Sequence, residues 1–186
     1  MLNWRALRIQ CEALMIHLGS KRMTWKVEKP NSIMVDMACS LFNATRASDL
    51  PDSMGAWGIN NNVWQSLIDL TYRNCRALSI PVTPKGLQGM CIWASVVAAK
   101  FYVHKFAYIN SRVIRVNDGG DHYFVSVRSH AVAGICDITC NQFGGPDFIT
   151  GSLRDVKGPA QRVKNKGGAS LYDAYVLGAS TSTFVL

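Results

Sequence analysis

Near residue 105 the apolar residues of this chain change their spacing from helical to alternating. Before that point they recur three or four positions apart, and after it they fall on every second position. Helices first and strands afterwards is the ordering of an α+β fold, with helices packed on an antiparallel sheet. Of the 186 residues, 48% are hydrophobic and 17% charged, enough apolar content to bury a core in one domain or one domain with a helical extension. Residues 1–80 read as a helical part and 81–186 as the core that carries the chemistry, the two forming one structural unit.

The helical half divides as follows. Residues 5–18 place Leu7, Cys11, Leu14, Met15 and Leu18 on one helical face, and Gly19 stops it. Residues 24–29 suit a short strand or an extended connection. Asn31 or Ser32 is placed to cap a helix running to about Ala47, with Ile33, Met37, Leu41 and Ala44 inward. Residues 48–62, rich in Asp, Pro, Gly and Asn, read as a loop. Asn62 is positioned to cap a helix over 63–78 with Val63, Leu67, Leu70 and Leu78 as its stripe. Pro81, Pro84, Gly86 and Gly89 then form a tight approach to a helix over 91–105. Of the tryptophans, Trp57 lies in a loop between Gly55 and Gly58 and is expected to be the exposed one, a candidate partner contact.

In the second half, residues 108–116 suit a strand, and Asn117-Asp118-Gly119-Gly120 is a turn signal. Residues 122–128 and 131–138 suit two more strands, 141–168 read as irregular, and 171–177 as a final strand.

Twenty Lys and Arg against 12 Asp and Glu give a net charge of +8, which favours anionic partners. The densest basic stretch, Arg154 to Lys166, is expected to be a solvated loop without the interleaved aromatics of a base-stacking groove, so nucleic acid is not the expected partner. The competing reading is a non-catalytic basic module that binds nucleic acid or an acidic protein through this stretch. No apolar run approaches the ~20 residues of a membrane span, and no signal-peptide core is visible at the start. The expectation is a cytoplasmic protein, or one secreted by a signal-independent route. The cysteines Cys11, Cys39 and Cys75 sit in apolar helical patterns and read as small buried hydrophobes. Cys136 and Cys140 lack a second pair to complete a metal site, so no metal is expected.

Three residues stand out for chemistry. Cys91 follows Gln88-Gly89-Met90 and opens the apolar helix, where the positive end of the helix dipole stabilises a thiolate. Gly89 lets a substrate approach backbone amides that can donate to an oxyanion. His122 starts a strand, and Asp137, 137 − 122 = 15 positions later, ends the next one. Two antiparallel strands joined by a tight turn bring those two ends together, so the carboxylate can hold one imidazole nitrogen and leave the other for the thiol. His130 falls between strands and reads as a turn residue.

Gly89-Met-Cys91-Ile-Trp-Ala94, His122-Tyr-Phe-Val and Asp137-Ile-Thr139 together resemble the core of the transglutaminase-like, papain-like cysteine enzymes. That superfamily includes transglutaminases, peptidases, arylamine N-acetyltransferases and the protein-glutamine deamidases of bacterial toxins. The likeness covers about residues 86–145. It implies a papain-like core, with Cys91 as nucleophile, His122 as general base and Asp137 as the orienting acid. Gln88 and Gln142 are candidates for an oxyanion or supporting role, and Trp93 and Tyr123 for the walls of a substrate tunnel. It departs from the family in placing the aromatic one position later, at Trp93, and Gln88 closer to the cysteine than papain-type enzymes place their glutamine. The implied activity is acyl transfer on protein or peptide carboxamides without a cofactor. A bacterial effector or toxin domain of this kind would have an inhibitory or immunity partner.

Overall fold

The computed structural model describes residues 15–19, 31–83, 87, 89–106, 110–117, 121–128, 133–165 and 169–179. They form an α+β fold in which helices pack on a sheet that is antiparallel except at one edge. The strands are β1 (Met15–Gly19), β2 (Asn110–Asn117), β3 (Asp121–Arg128), β4 (Ala133–Asp137) and β5 (Ile149–Gly151), side by side in that order. Strands β2 to β5 form an antiparallel meander, and β1 pairs parallel to β2 with Met15 opposite Val113. The helices are α1 (Ser32–Ala44), α2 (Asn61–Ala77), α3 (Cys91–Lys105), α4 (Leu153–Asn165) and α5 (Ala169–Gly178).

The alternation of β2, β3 and β4 sends their side chains into two different cores. Val113, Tyr123, Val125, Val127 and Cys136 join one cluster with α1, α2 and α3. Ile114, Val116, Phe124, Ile135 and Ile149 join a second with α4 and α5. The sheet is therefore covered on both sides. Helix α3 is buried on all sides along Cys91 to Ala99, as a helix clamped between other helices and a sheet must be.

Several expectations are corrected. Residues 15–19 are a strand and not the end of a helix, because their backbone completes the hydrogen bonding of the β2 edge. The rest of that expected helix and the segment 24–29 lie outside the described residues. Helix α1 is capped by Asn31, whose Oδ1 accepts from Ile33 N at 2.9 Å, but its inward residues are Val35, Ala38, Cys39 and Leu41. Ile33, expected inside, is 64% exposed. Helix α2 is capped by Asn60 and not Asn62, through Val63 N at 3.0 Å, and Leu78 at its C-terminal end is exposed. The stretch 141–168 is largely ordered: a 3₁₀ turn over Cys140–Phe143, strand β5 and helix α4. Its basic residues Arg154, Lys157, Arg162 and Lys164 thus lie on the exposed side of a helix whose other side buries Val156, Ala160 and Val163, and Lys166 lies outside the described residues. Residues 171–177 belong to helix α5, which buries Leu171, Ala174 and Tyr175.

Trp57 is half-buried and packs on the sheet. Its indole lies across Gly134, where an added Cβ would come within 2.6 Å of the ring and 2.5 Å of Gly151 O. Only glycine admits that approach. The Trp57 carbonyl accepts from the Tyr102 hydroxyl at 2.7 Å, and the indole hydrogen-bonds Asp155. Trp57 is therefore only partly exposed, held by these contacts against the sheet.

Candidate active site

The site is assembled at one end of the sheet, from three elements. The chain enters α3 through Gly89, whose φ of +79° lies in the left-handed region that glycine occupies without strain. Met90 N then donates to Leu87 O at 2.9 Å, and Cys91 begins the helix. No side chain caps this N-terminus and no acidic residue sits in its first turn, so its amides and its dipole are not spent on a carboxylate. Cys91 is buried, 5% exposed, and its thiol points at the carbonyl of Asp121 across 3.9 Å.

Asp121 opens β3. Its carboxylate is held by Arg115 on the neighbouring strand, at 2.8 Å to Nε and 2.7 Å to an Nη. The next residue, His122, pairs with Val116 and shares its face with Phe124, so the imidazole turns toward the core under α4 and α5. The β3–β4 register sets Val125 opposite Cys136. One further step puts Asp137 across from Phe124 and diagonal to His122 on the same face. His122 Nε2 bonds Asp137 Oδ2, both side chains being buried. The edge of the Phe143 ring meets the imidazole, centroids 4.6 Å apart, and limits its swing.

Asp137 is saturated with donors. Its Oδ1 takes Thr139 N at 2.8 Å and Thr139 Oγ1 at 3.1 Å. Its Oδ2 takes the Tyr175 hydroxyl as well as His122. Trp64 Nε1 donates to Ile138 O at 2.9 Å, which ties α2 to the turn that carries these groups.

The electrostatics follow from this packing. Burial alone would discharge His122, but the Asp137 charge and hydrogen bond, aided by the nearby Cys91 sulfur, outweigh it and set the imidazole at about 9. Asp137 is likewise opposed by burial, yet His122, Tyr175 and Thr139 hold it below the usual carboxylate range. Both shifts run toward the charged forms, an imidazolium facing a carboxylate. Burial pushes the Cys75 thiol up to about 11 and the Cys136 thiol up to about 12.

Two buried nitrogens here lack hydrogen-bond partners, His122 Nδ1 and Gln142 Nε2. Nδ1 is the nitrogen left over once Nε2 has engaged Asp137, and Cys91 lies close enough to raise the ring's proton affinity. Gln142 sits in the 3₁₀ turn beside Phe143. Of the other expected site residues, Trp93 and Tyr123 are buried in the core between helices and sheet, and burial pushes the Tyr123 phenol up to about 12. Gln88 and His130 lie outside the described residues. Tyr175 and Phe143 were not found by sequence reasoning. Tyr175 lay in a run read as a strand, and Phe143 in one read as irregular. Among the described residues no group of His, Cys, Asp and Glu could hold a metal ion.

No protein-family model, curated protein or solved structure matches this chain.

Proposed function

We propose that this protein is a cysteine-nucleophile acyl-transfer enzyme, acting on protein or peptide carboxamides through a thioester. The observation that carries this reading is a thiol at an uncapped helix start, beside an imidazole whose second nitrogen has no partner and whose first is fixed by a buried carboxylate. The likeness of its Cys, His and Asp segments to transglutaminase-like, papain-like enzymes agrees with it.

The chemistry balances in two halves. The Cys91 sulfur attacks the amide carbonyl carbon, and charge develops on the carbonyl oxygen near the α3 amides. His122 gives its proton to the leaving nitrogen as the C–N bond breaks, releasing ammonia or an amine and leaving a thioester. Water or an incoming amine then attacks the thioester. His122 takes the nucleophile's proton, and the sulfur departs as thiolate. Water yields deamidation or peptide cleavage, and an amine yields a cross-link. Asp137 keeps the imidazole oriented throughout.

The test is mass spectrometry of glutamine-containing proteins after incubation with the wild type and with Cys91→Ala. A gain of about 1 Da on glutamine, a cross-link with loss of ammonia, or a cut backbone would each identify one outcome of the thioester. Folded wild-type protein that produces none of these across a broad protein mixture would remove the reading.

A second reading has one observation in its favour. Helix α4 exposes Arg154, Lys157, Arg162 and Lys164 on an ordered surface. A basic module would bind nucleic acid through these residues with affinity that falls steeply with salt and survives Cys91→Ala.

A further inference from the structure

Tyr175 is the residue at this site whose presence the acyl-transfer chemistry does not itself require. It is fully buried on α5, far along the chain from Cys91 and His122, and its ring is held edge-on by Phe124 with centroids 5.1 Å apart. Its hydroxyl donates to Asp137 Oδ2, the same oxygen that engages His122 Nε2. The other oxygen already has two donors from Thr139. Asp137 would thus be hydrogen-bonded on both oxygens without any tyrosine, and a phenylalanine would keep the contact with Phe124.

We propose that Tyr175 is a positioning residue of this site: by donating to the carboxylate oxygen that His122 uses, it fixes the plane of Asp137 and withdraws part of the negative charge offered to the imidazole. The argument is one of competition. Two donors on one oxygen each receive less of its charge than either would alone. An imidazolium held too firmly by its carboxylate is a poor acid and does not release its proton to a leaving nitrogen. A donor on the far side of the carboxylate relaxes that hold without moving the ring. Burial and the nearby Asp137 charge keep the phenol protonated far above its ordinary range, so Tyr175 acts only as a donor. Among the described residues the titratable groups around the pair are Cys91 from α3, Cys136 from β4, Cys140 from the 3₁₀ turn and Tyr175 from α5, and of these only Tyr175 hydrogen-bonds the carboxylate.

The inference rests on the proposed acyl-transfer reading for its purpose, but its test does not. NMR titration of the His122 ring is compared in the wild type, in Tyr175→Phe, and in protein carrying 3-fluorotyrosine at position 175. Alongside it, the rate of iodoacetamide alkylation of Cys91 is measured against pH. Tyr175→Phe is expected to move the His122 titration upward by about one unit, and the alkaline limb of the alkylation profile with it. The fluorotyrosine, a stronger donor of nearly the same shape, is expected to move both downward. Should Tyr175→Phe fail to fold, the fluorotyrosine protein decides alone. A His122 titration that stays put in every folded variant overturns the proposal, whatever the reactivity of Cys91. A titration that moves while Cys91 resists alkylation at every pH supports the role of Tyr175 and removes the acyl-transfer reading instead.

Discussion

Asp137 lies one diagonal step from His122 across two antiparallel strands, and the two meet on one carboxylate oxygen inside the protein. Neither residue is near the other in sequence. The pairing of β3 with β4 makes them neighbours, and the Thr139 turn and the Phe143 ring hold them in place. The pair is out of water, so its charges interact more strongly than an exposed pair would.

That burial makes stability depend on pH in a definite sense. His122 is raised from 6.5 to about 9, so its contribution is complete below about pH 6.5 and is lost as pH rises through about 9. Asp137 is lowered from 3.8, so its contribution is present above that value and is lost as pH falls below it. Melting temperature should therefore be highest between about pH 4 and 6.5 and fall on both sides. Asp137→Asn should flatten both limbs. Thermal denaturation followed by circular dichroism from pH 3 to 10 checks this, and a wild type with the same profile as Asp137→Asn would contradict it.

Cys91 should be the thiol that alkylates at near-neutral pH among the described cysteines. All five described cysteines are buried, but Cys39, Cys75, Cys136 and Cys140 do not open an α-helix as Cys91 does. Alkylation by iodoacetamide should vanish in Cys91→Ala and persist in Cys39→Ala. In His122→Ala the rate at Cys91 should drop roughly tenfold or more, because the thiolate and not the thiol reacts. Peptide mapping by mass spectrometry gives the answer, and equal labelling of several cysteines would count against an activated Cys91.

Gly134→Ala should destabilise the fold by about 1–3 kcal/mol, the usual cost of forcing a methyl group into a filled space. The added carbon would sit 2.5 Å from Gly151 O and 2.6 Å from the Trp57 indole, and neither backbone nor a packed ring can withdraw freely. Urea denaturation measures the loss. Trp57→Ala in the same chain should recover part of it.

Gly89→Ala has space for its methyl group, the nearest contact being Thr83 at 3.5 Å, but not the backbone freedom. Holding alanine at a φ of +79° should cost about 1–2 kcal/mol. Because the strain falls just ahead of Cys91, the alkylation rate of that thiol should fall further than the melting temperature suggests. A variant that melts lower but reacts at the wild-type rate would place the strain outside the site.

Helix α3 was legible in the sequence, since its apolar run and its Gly89 entry agree with one another. Strands β2 to β4 were legible from alternation and the turn between them. Helix α4 was hidden by Gly158-Pro159, which breaks helices as a rule, yet Pro159 is accommodated within it. Its signals were present: Val156, Ala160 and Val163 recur at helical spacing, and Ser152 N and Oγ donate to Asp155 Oδ2 as in a capping box. Helix α5 was taken for a strand because a short apolar run has no decisive period, and Tyr175 went unseen with it. A contact between residues 38 positions apart, made by a helix that had been misread, leaves no trace in spacing.

Cys91 hangs from the layer of α1 to α3, whereas His122 and Asp137 project under α4 and α5, and they meet only around the end of the sheet. The candidate site is thus a seam between two separately packed slabs. Heat or denaturant that loosens either slab parts sulfur from imidazole while most of the polypeptide still holds its shape, so the weaker slab, and not the average of both, sets the conditions under which the three side chains stay together.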